Sequence, residues 1–209
     1  MAIIKNGILG GFRGKAGTVV GYHLNGQDIM RGLANERSKP FTEKELANQQ
    51  AFGDLQLWLK PLKVFLRVGF QDYAPTFQGF VAAKSYNSKN ALVRDDAGAH
   101  IDPALALVSF GDQEPALTAS AVSETENSIT FNWEGGKCES DDRAMFLVYD
   151  IAGGKADYDT GAVKRRMKAG VFKLNEDFSG KAVHVYLAFV AEDRKRRSNS
   201  QYLGIVNVL

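Results

Sequence analysis

The residues most suggestive of chemistry lie near the start of the chain, in the glycine-rich stretch Gly10-Gly11-Phe12-Arg13-Gly14-Lys15-Ala16-Gly17. A phosphate-binding loop needs G-x-x-x-x-G-K followed by Ser or Thr, so that backbone amides, the lysine and a hydroxyl converge on phosphates and magnesium. Counting back from Gly14-Lys15 places Leu9 where the first glycine belongs, and Ala16 stands where the hydroxyl belongs. No helical pattern follows. The glycines therefore read as turn-formers, with Arg13 and Lys15 exposed at a bend.

Other reactive residue types are scattered. His23, His100 and His184 stand far apart, and none has metal-ligand spacing to another or to Cys138. His184 alternates with Val183 and Val185 and reads as a strand-surface residue. Cys138 lies in a Gly-Gly-Lys-Cys-Glu-Ser turn without a neighbouring base to activate it. Ser109 and Ser200 lack a nucleophile elbow. The pairs Asp95-Asp96 and Asp141-Asp142 read as loop acids. The expectation is a protein that is not an enzyme, with no cofactor and no metal site.

Positive charge recurs in the first third, at Lys5, Arg13, Lys15, Arg31, Arg37 and Lys39, interleaved with Phe12 and Tyr22. Such a pattern suits a nucleic-acid surface, but such residues more often form a solvated face or dock on an acidic partner. Two denser clusters, Lys164-Arg165-Arg166 and Arg194-Lys195-Arg196-Arg197, read as loop or edge-strand residues that discourage stray strand pairing, ahead of the alternative of polyanion contact. The whole chain has a formal net charge of only +2. That is short of the excess expected of a dedicated nucleic-acid binder.

The single cysteine among 209 residues rules out an internal disulfide. The first residues, MAIIKNGILGGF, hold no sustained apolar run and no small-residue cleavage site, so no signal peptide is expected. No window reaches the ~20 apolar residues that span a bilayer. A protein in the cytoplasm, or one incorporated into a particle, is expected.

The elements that must position these residues fall into three textures. Glycines punctuate residues 1–41, with β-prone pieces at Ile3-Ile4, Thr18-Val19-Val20 and Asp28-Ile29-Met30. Asn25-Gly26 suits a two-residue hairpin turn between strands at 18–23 and 27–33. Residues 42–69 carry the strongest helical pattern. Thr42 and Glu45 match a capping box, and Ala51, Leu55, Trp58, Leu62, Phe65 and Leu66 form one apolar stripe. Pro61 should kink or divide this helix, and Gly69 should end it. A second helix is predicted over 76–92 and a strand over 105–108. From Pro115 onward, strands recur at 117–123, 128–133, 143–150, 156–163, 170–174, 182–191 and 201–209. Seven strands in about 95 residues is the spacing of an immunoglobulin-like sandwich.

Trp133 on the second of these strands, Tyr149 ending the third, and the Val183-Tyr186-Phe189 strand resemble a fibronectin type III module. Leu174 before a turn resembles that fold's corner, although Asn175 stands where the usual proline would be. The whole chain also resembles a family of uncharacterised Bacteroidetes proteins. The resemblance is carried by the glycine-rich stretch with Val19-Val20-Gly21-Tyr22, by Gln49-Gln50-Ala51-Phe52, and by Ser85-Tyr86-Asn87 with Lys89-Asn90-Ala91. It continues in the strand from Val183 to Phe189 and in Ser198-Asn199-Ser200. It implies no activity and no catalytic residues.

The expected fold is α+β: a glycine-rich β-arm and helical region over 1–113, then a fibronectin-III-like antiparallel β-sandwich over 114–209. The expected function is a non-catalytic structural or assembly protein making protein–protein contacts, by self-association or with a scaffold, such as a virion or tail component. Phe12, Arg13, Lys15, Val19, Val20 and Tyr22 are the expected partner contacts. A polyanion or nucleic-acid binding module is the alternative. A carbohydrate-binding or adhesive protein is another; the expected lack of a secretion signal weighs against it, and Trp58 and Trp133, which would support it if exposed, both read as core.

Overall fold

The computed structural model describes residues 2–209 except 5–6, 8–9, 25, 72, 74–77 and 96–97. It divides into two compact units, Met1–Thr42 and Glu43–Leu209.

The first unit is an antiparallel sheet of β1 (Ile3–Ile4), β2 (Phe12–Ala16), β3 (Val19–Leu24) and β4 (Gln27–Gly32), in that order. The Asn-Gly pair sits at the β3–β4 turn, as its residue types predict, with Leu24 opposite Gln27 and Gly26 at φ +81. Asn25 itself lies outside the described residues. One expectation is corrected here: Arg13 and Lys15 lie within β2, not at a bend. Glycines adopt extended strands when a neighbour comes close. Gly21 is such a case, since a Cβ there would lie 2.3 Å from the Phe12 carbonyl oxygen and 2.7 Å from its ring.

The second unit begins with α1 (Glu43–Leu59), α2 (Lys63–Gly69) and α3 (Gly79–Asn90). Pro61 falls in the break between α1 and α2, so the long predicted helix is divided. Gly69 does not end α2 through a left-handed residue. It allows the helix to touch the chain at Val108 and Ser109, where a Cβ would meet the Val108 carbonyl oxygen at 2.3 Å. The second predicted helix forms from Gly79, but its expected start at Thr76 and Phe77 lies outside the described residues, and Leu92 has already left it. A hairpin of β5 (Leu92–Asp95) and β6 (Gly98–Ile101) follows, which the sequence pattern did not suggest.

The strand expected at 105–108 does not form. A side chain does the work of a strand partner there. Asn87 donates from Nδ2 to the Leu107 carbonyl (2.8 Å) and accepts from the Leu107 N–H (3.0 Å). The next amide, Val108, donates to Ser200 Oγ (2.9 Å). Those backbone groups are satisfied without a ladder.

The remaining strands are β7 (Thr118–Val122), β8 (Ser128–Glu134), β9 (Arg143–Asp150), β10 (Lys155–Asp159), β11 (Ala169–Lys173), β12 (Ala182–Val190) and β13 (Gln201–Asn207). They make a three-stranded sheet, β11-β8-β7, and a four-stranded sheet, β10-β9-β12-β13, both antiparallel. Ile129, Phe131 and Trp133 of the first sheet share a core with Ala144, Phe146, Val148, Val183, Val185, Leu187 and Phe189 of the second. Phe131 and Phe146 stack with centroids 4.1 Å apart. The whole is a mixed α+β fold with a β-sandwich-like body.

The alternate residues of β9 and β12 are buried too. Met145, Leu147, Tyr149, Tyr186, Ala188 and Val190 form a second core with Leu55, Trp58, Leu62, Phe65 and Leu66 of the helical segment. The helices therefore cover the outer face of the four-stranded sheet. This explains why RAMFLVYD and AVHVYLAFVA are continuous apolar runs rather than alternating ones: both faces are covered. It also explains why the boundary between compact units falls at 42/43 and not at 113/114. The helices and the sandwich are built around a common core.

Candidate partner-binding surface

Side chains alternate across a strand and paired residues share a face, so the register of the N-terminal sheet sorts its residues onto two faces. Pairing of Lys15 with Val20, Val20 with Arg31, and Tyr22 with Ile29 places Arg13, Lys15, Val20, Tyr22, Ile29 and Arg31 on one face. Pairing of Ile4 with Phe12, Gly14 with Gly21, and Gly21 with Met30 places Phe12, Val19 and Met30 on the other. The six expected contact residues are thus split, four on one face and Phe12 with Val19 on the other.

The first face is basic and partly apolar. Arg13, Lys15 and Arg31 are exposed, and Val20, Tyr22 and Ile29 are half-buried. The Arg31 guanidinium lies over the Tyr22 ring, 5.7 Å from its centroid. The opposite face carries the only acid on the four strands, Asp28, held by His23 Nδ1 at 2.9 Å, and exposes Met30 at 65%. Among the described residues of this unit only Gly21 is buried. Among the described residues its edge strand β4 pairs with β3 alone. Of the other basic residues in the segment, Arg37 lies over Phe41 (4.1 Å) and donates to the Lys39 carbonyl (2.8 Å). Lys5 lies outside the described residues.

Two members of the denser basic clusters are a correction, while the clusters themselves lie outside the main strands as expected. Arg165 and Arg197 are buried, at 2% and 4% exposure. Arg165 donates to the Glu114 (2.8 Å) and Pro115 (3.2 Å) carbonyls and lies 4.0 Å over the Phe189 ring. Its own carbonyl accepts from Trp133 Nε1 (2.8 Å). Burial lowers its pKa. Arg197 donates to the carbonyls of Gln71 and Arg194. Arg196 pairs with Glu139, Nη2 to Oε2 at 2.8 Å. Nothing in the residue types distinguishes these side chains from their solvated neighbours.

The remaining candidates are held structurally. Ser109 Oγ donates to the Ser198 carbonyl (2.8 Å), and Asn199 Oδ1 accepts from the Gly111 N–H (3.1 Å). Ser198-Asn199-Ser200 and Asn87 are thus clamps for the chain at 107–111. Cys138 is exposed, and its thiol pKa is raised by burial and then by Asp142, the reverse of an activated nucleophile. His184 is half-buried with Nδ1 2.8 Å from the Tyr202 hydroxyl. Asp95 ends β5 and faces His100 at 3.5 Å, whereas Asp96 lies outside the described residues. Trp58 and Trp133 are buried, so neither offers a ring to a sugar.

A cavity of about 510 Å³ lies between α1 and the β5–β6 hairpin, lined by Lys44, Asn48, Asp54, Arg94 and Asp95 among others. Arg94 there donates to Asn48 Oδ1 (2.8 Å), and cations and acids are present in equal number. Among the described residues, no group of three or more His, Cys, Asp or Glu side chains is placed to hold a metal ion. Among the same residues, no helix is long and apolar enough to cross a membrane.

A family model described as "Family of unknown function (DUF6266)" matches residues 11–204. No curated protein matches the chain. Among solved structures, the chain is similar to the fn3 domain of human collagen alpha-1(XX) chain, determined in solution. The identity is 17% and the TM-score 0.33, covering 48% of this chain and 88% of that one.

Proposed function

The chain belongs to this family of unknown function, DUF6266, and we propose that it is a non-catalytic structural or assembly protein whose N-terminal sheet makes protein–protein contacts. One observation carries the reading. A sheet must bury a face to be stable, yet among the described residues of the four N-terminal strands only Gly21 is buried. A neighbouring protein would supply the missing layer, and the open edge of β4 suits strand addition. Within this reading the body is a fibronectin-III-like module, supported by its seven strands divided three and four. One departure stands out. The Tyr186 hydroxyl donates to the Pro103 carbonyl (2.8 Å) beneath the helical segment, instead of closing a corner near Leu174. A Bacteroidetes origin and a place in a virion or tail belong to the same reading.

Mass in solution tests it. The full chain is expected to form species heavier than a monomer as concentration rises, and the chain lacking residues 1–42 to remain monomeric. A strict monomer at high concentration, unchanged by the truncation, overturns the proposal. A second reading, a polyanion-binding module, draws on Arg13, Lys15 and Arg31 sharing one face around Tyr22. Retention on heparin with steep salt sensitivity would favour it.

A further inference from the structure

The N-terminal sheet has two chemically different faces, and the difference points to the partner's chemistry. The face of Arg13, Lys15 and Arg31 bears three cations and no carboxylate, because Asp28, the only acid on these strands, falls on the opposite face by register. Among the described residues no ion pair engages any of the three cations. Between them lie Val20, Tyr22 and Ile29, all half-buried. A single-stranded nucleic acid would be served by a row of rings on which successive bases stack. This face has one ring, Tyr22, and Arg31 already lies over it. Three cations also neutralise too few phosphates for strong counterion-release binding. A protein surface, by contrast, presents carboxylates and apolar side chains together, which is what a face of alternating charge and aliphatic surface complements.

We infer that the Arg13–Lys15–Arg31 face of the N-terminal sheet docks on an acidic protein surface, with the three cations facing carboxylates and Val20, Tyr22 and Ile29 packing between them. The inference deepens the proposed assembly role and rests on it. It names the chemistry of the partner and which of the two faces meets it.

The test uses the full chain, with fluorescent poly-L-glutamate as the acidic polypeptide probe and a thymidine oligonucleotide as the nucleic-acid probe, titrated by anisotropy at low and at moderate salt. Poly-L-glutamate is expected to bind, and the variant R13Q/K15Q/R31Q to bind it about tenfold more weakly, since exposed charge pairs contribute modestly and three are removed. Met30→Gln on the opposite face is expected to leave binding unchanged. An unchanged melting temperature separates a binding loss from misfolding. Tighter binding of the oligonucleotide, no binding of poly-L-glutamate, equal binding by the triple variant, or loss of binding in Met30→Gln would each overturn the inference. If the full chain still self-associates through residues 1–42 while poly-L-glutamate fails to bind, the assembly role stands and only the partner chemistry is wrong.

Discussion

Arg165 and Arg166 are adjacent and of the same type, yet Arg166 is exposed while Arg165 is almost fully enclosed. Removing Arg165 would leave the Glu114 and Pro115 carbonyls without their donors and open a space beside Phe189. Arg165→Ala is expected to cost about 3 kcal/mol in chemical denaturation, and Arg166→Ala no more than about 0.5 kcal/mol. Similar losses in the two variants would contradict the structure. His184 gives a prediction of a different kind. Burial lowers its pKa below 6.5, so the unfolded chain takes up the proton first as pH falls. The stability contributed by the neutral ring is present above about pH 6.5 and is lost as pH drops through the folded value. Melting temperatures followed from neutral to mildly acidic pH should fall less steeply in His184→Gln than in the parent.

At the scale of elements, the informative segment is 105–108. Its residues, Leu105 to Val108, have the composition of a strand, and their pattern predicts one. The chain takes another course because Asn87 on α3 offers one donor and one acceptor at the spacing of a peptide group, bonding both backbone atoms of Leu107. Asn87 is fully buried, so no water would replace it. Asn87→Ala is expected to destabilise the unit by about 2–4 kcal/mol, more than a surface Asn→Ala change. Hydrogen exchange should show the Leu107 and Val108 amides losing protection first. Retained protection would mean that the clamp is dispensable. The same logic applies to Ser198-Asn199-Ser200, whose side chains and carbonyls receive the neighbouring stretch. Asn87 and Ser198-Asn199-Ser200 thus hold the stretch at 107–111 between α3 and the sandwich.

At the scale of the molecule, the second unit is three layers: a three-stranded sheet, a four-stranded sheet, and helices. The middle layer touches both others. A fragment of residues 114–209 alone would expose Met145, Leu147, Tyr149, Tyr186, Ala188 and Val190 on one face, an apolar patch that soluble domains do not tolerate. Such a fragment is expected to aggregate or to bind a hydrophobic dye. Residues 43–209 should unfold in one cooperative transition. A soluble, dye-silent 114–209 fragment with a sharp transition would show that the helices are dispensable.

The strands of the body, the division of the long helix at Pro61 and the burial of both tryptophans were legible in the residues themselves. These features follow from local periodicity and backbone stereochemistry, which a sequence carries directly. The continuous apolar runs of β9 and β12 stand in the sequence, but that layers cover both of their faces emerged only from the structure. Only the tertiary structure decided which arginines are enclosed, why 105–108 is not a strand, and how the six N-terminal candidates divide between two faces. Each depends on a partner group supplied from far along the chain, or on a register of strand pairing. A slip of one residue in that register would exchange the two faces while leaving the local pattern untouched.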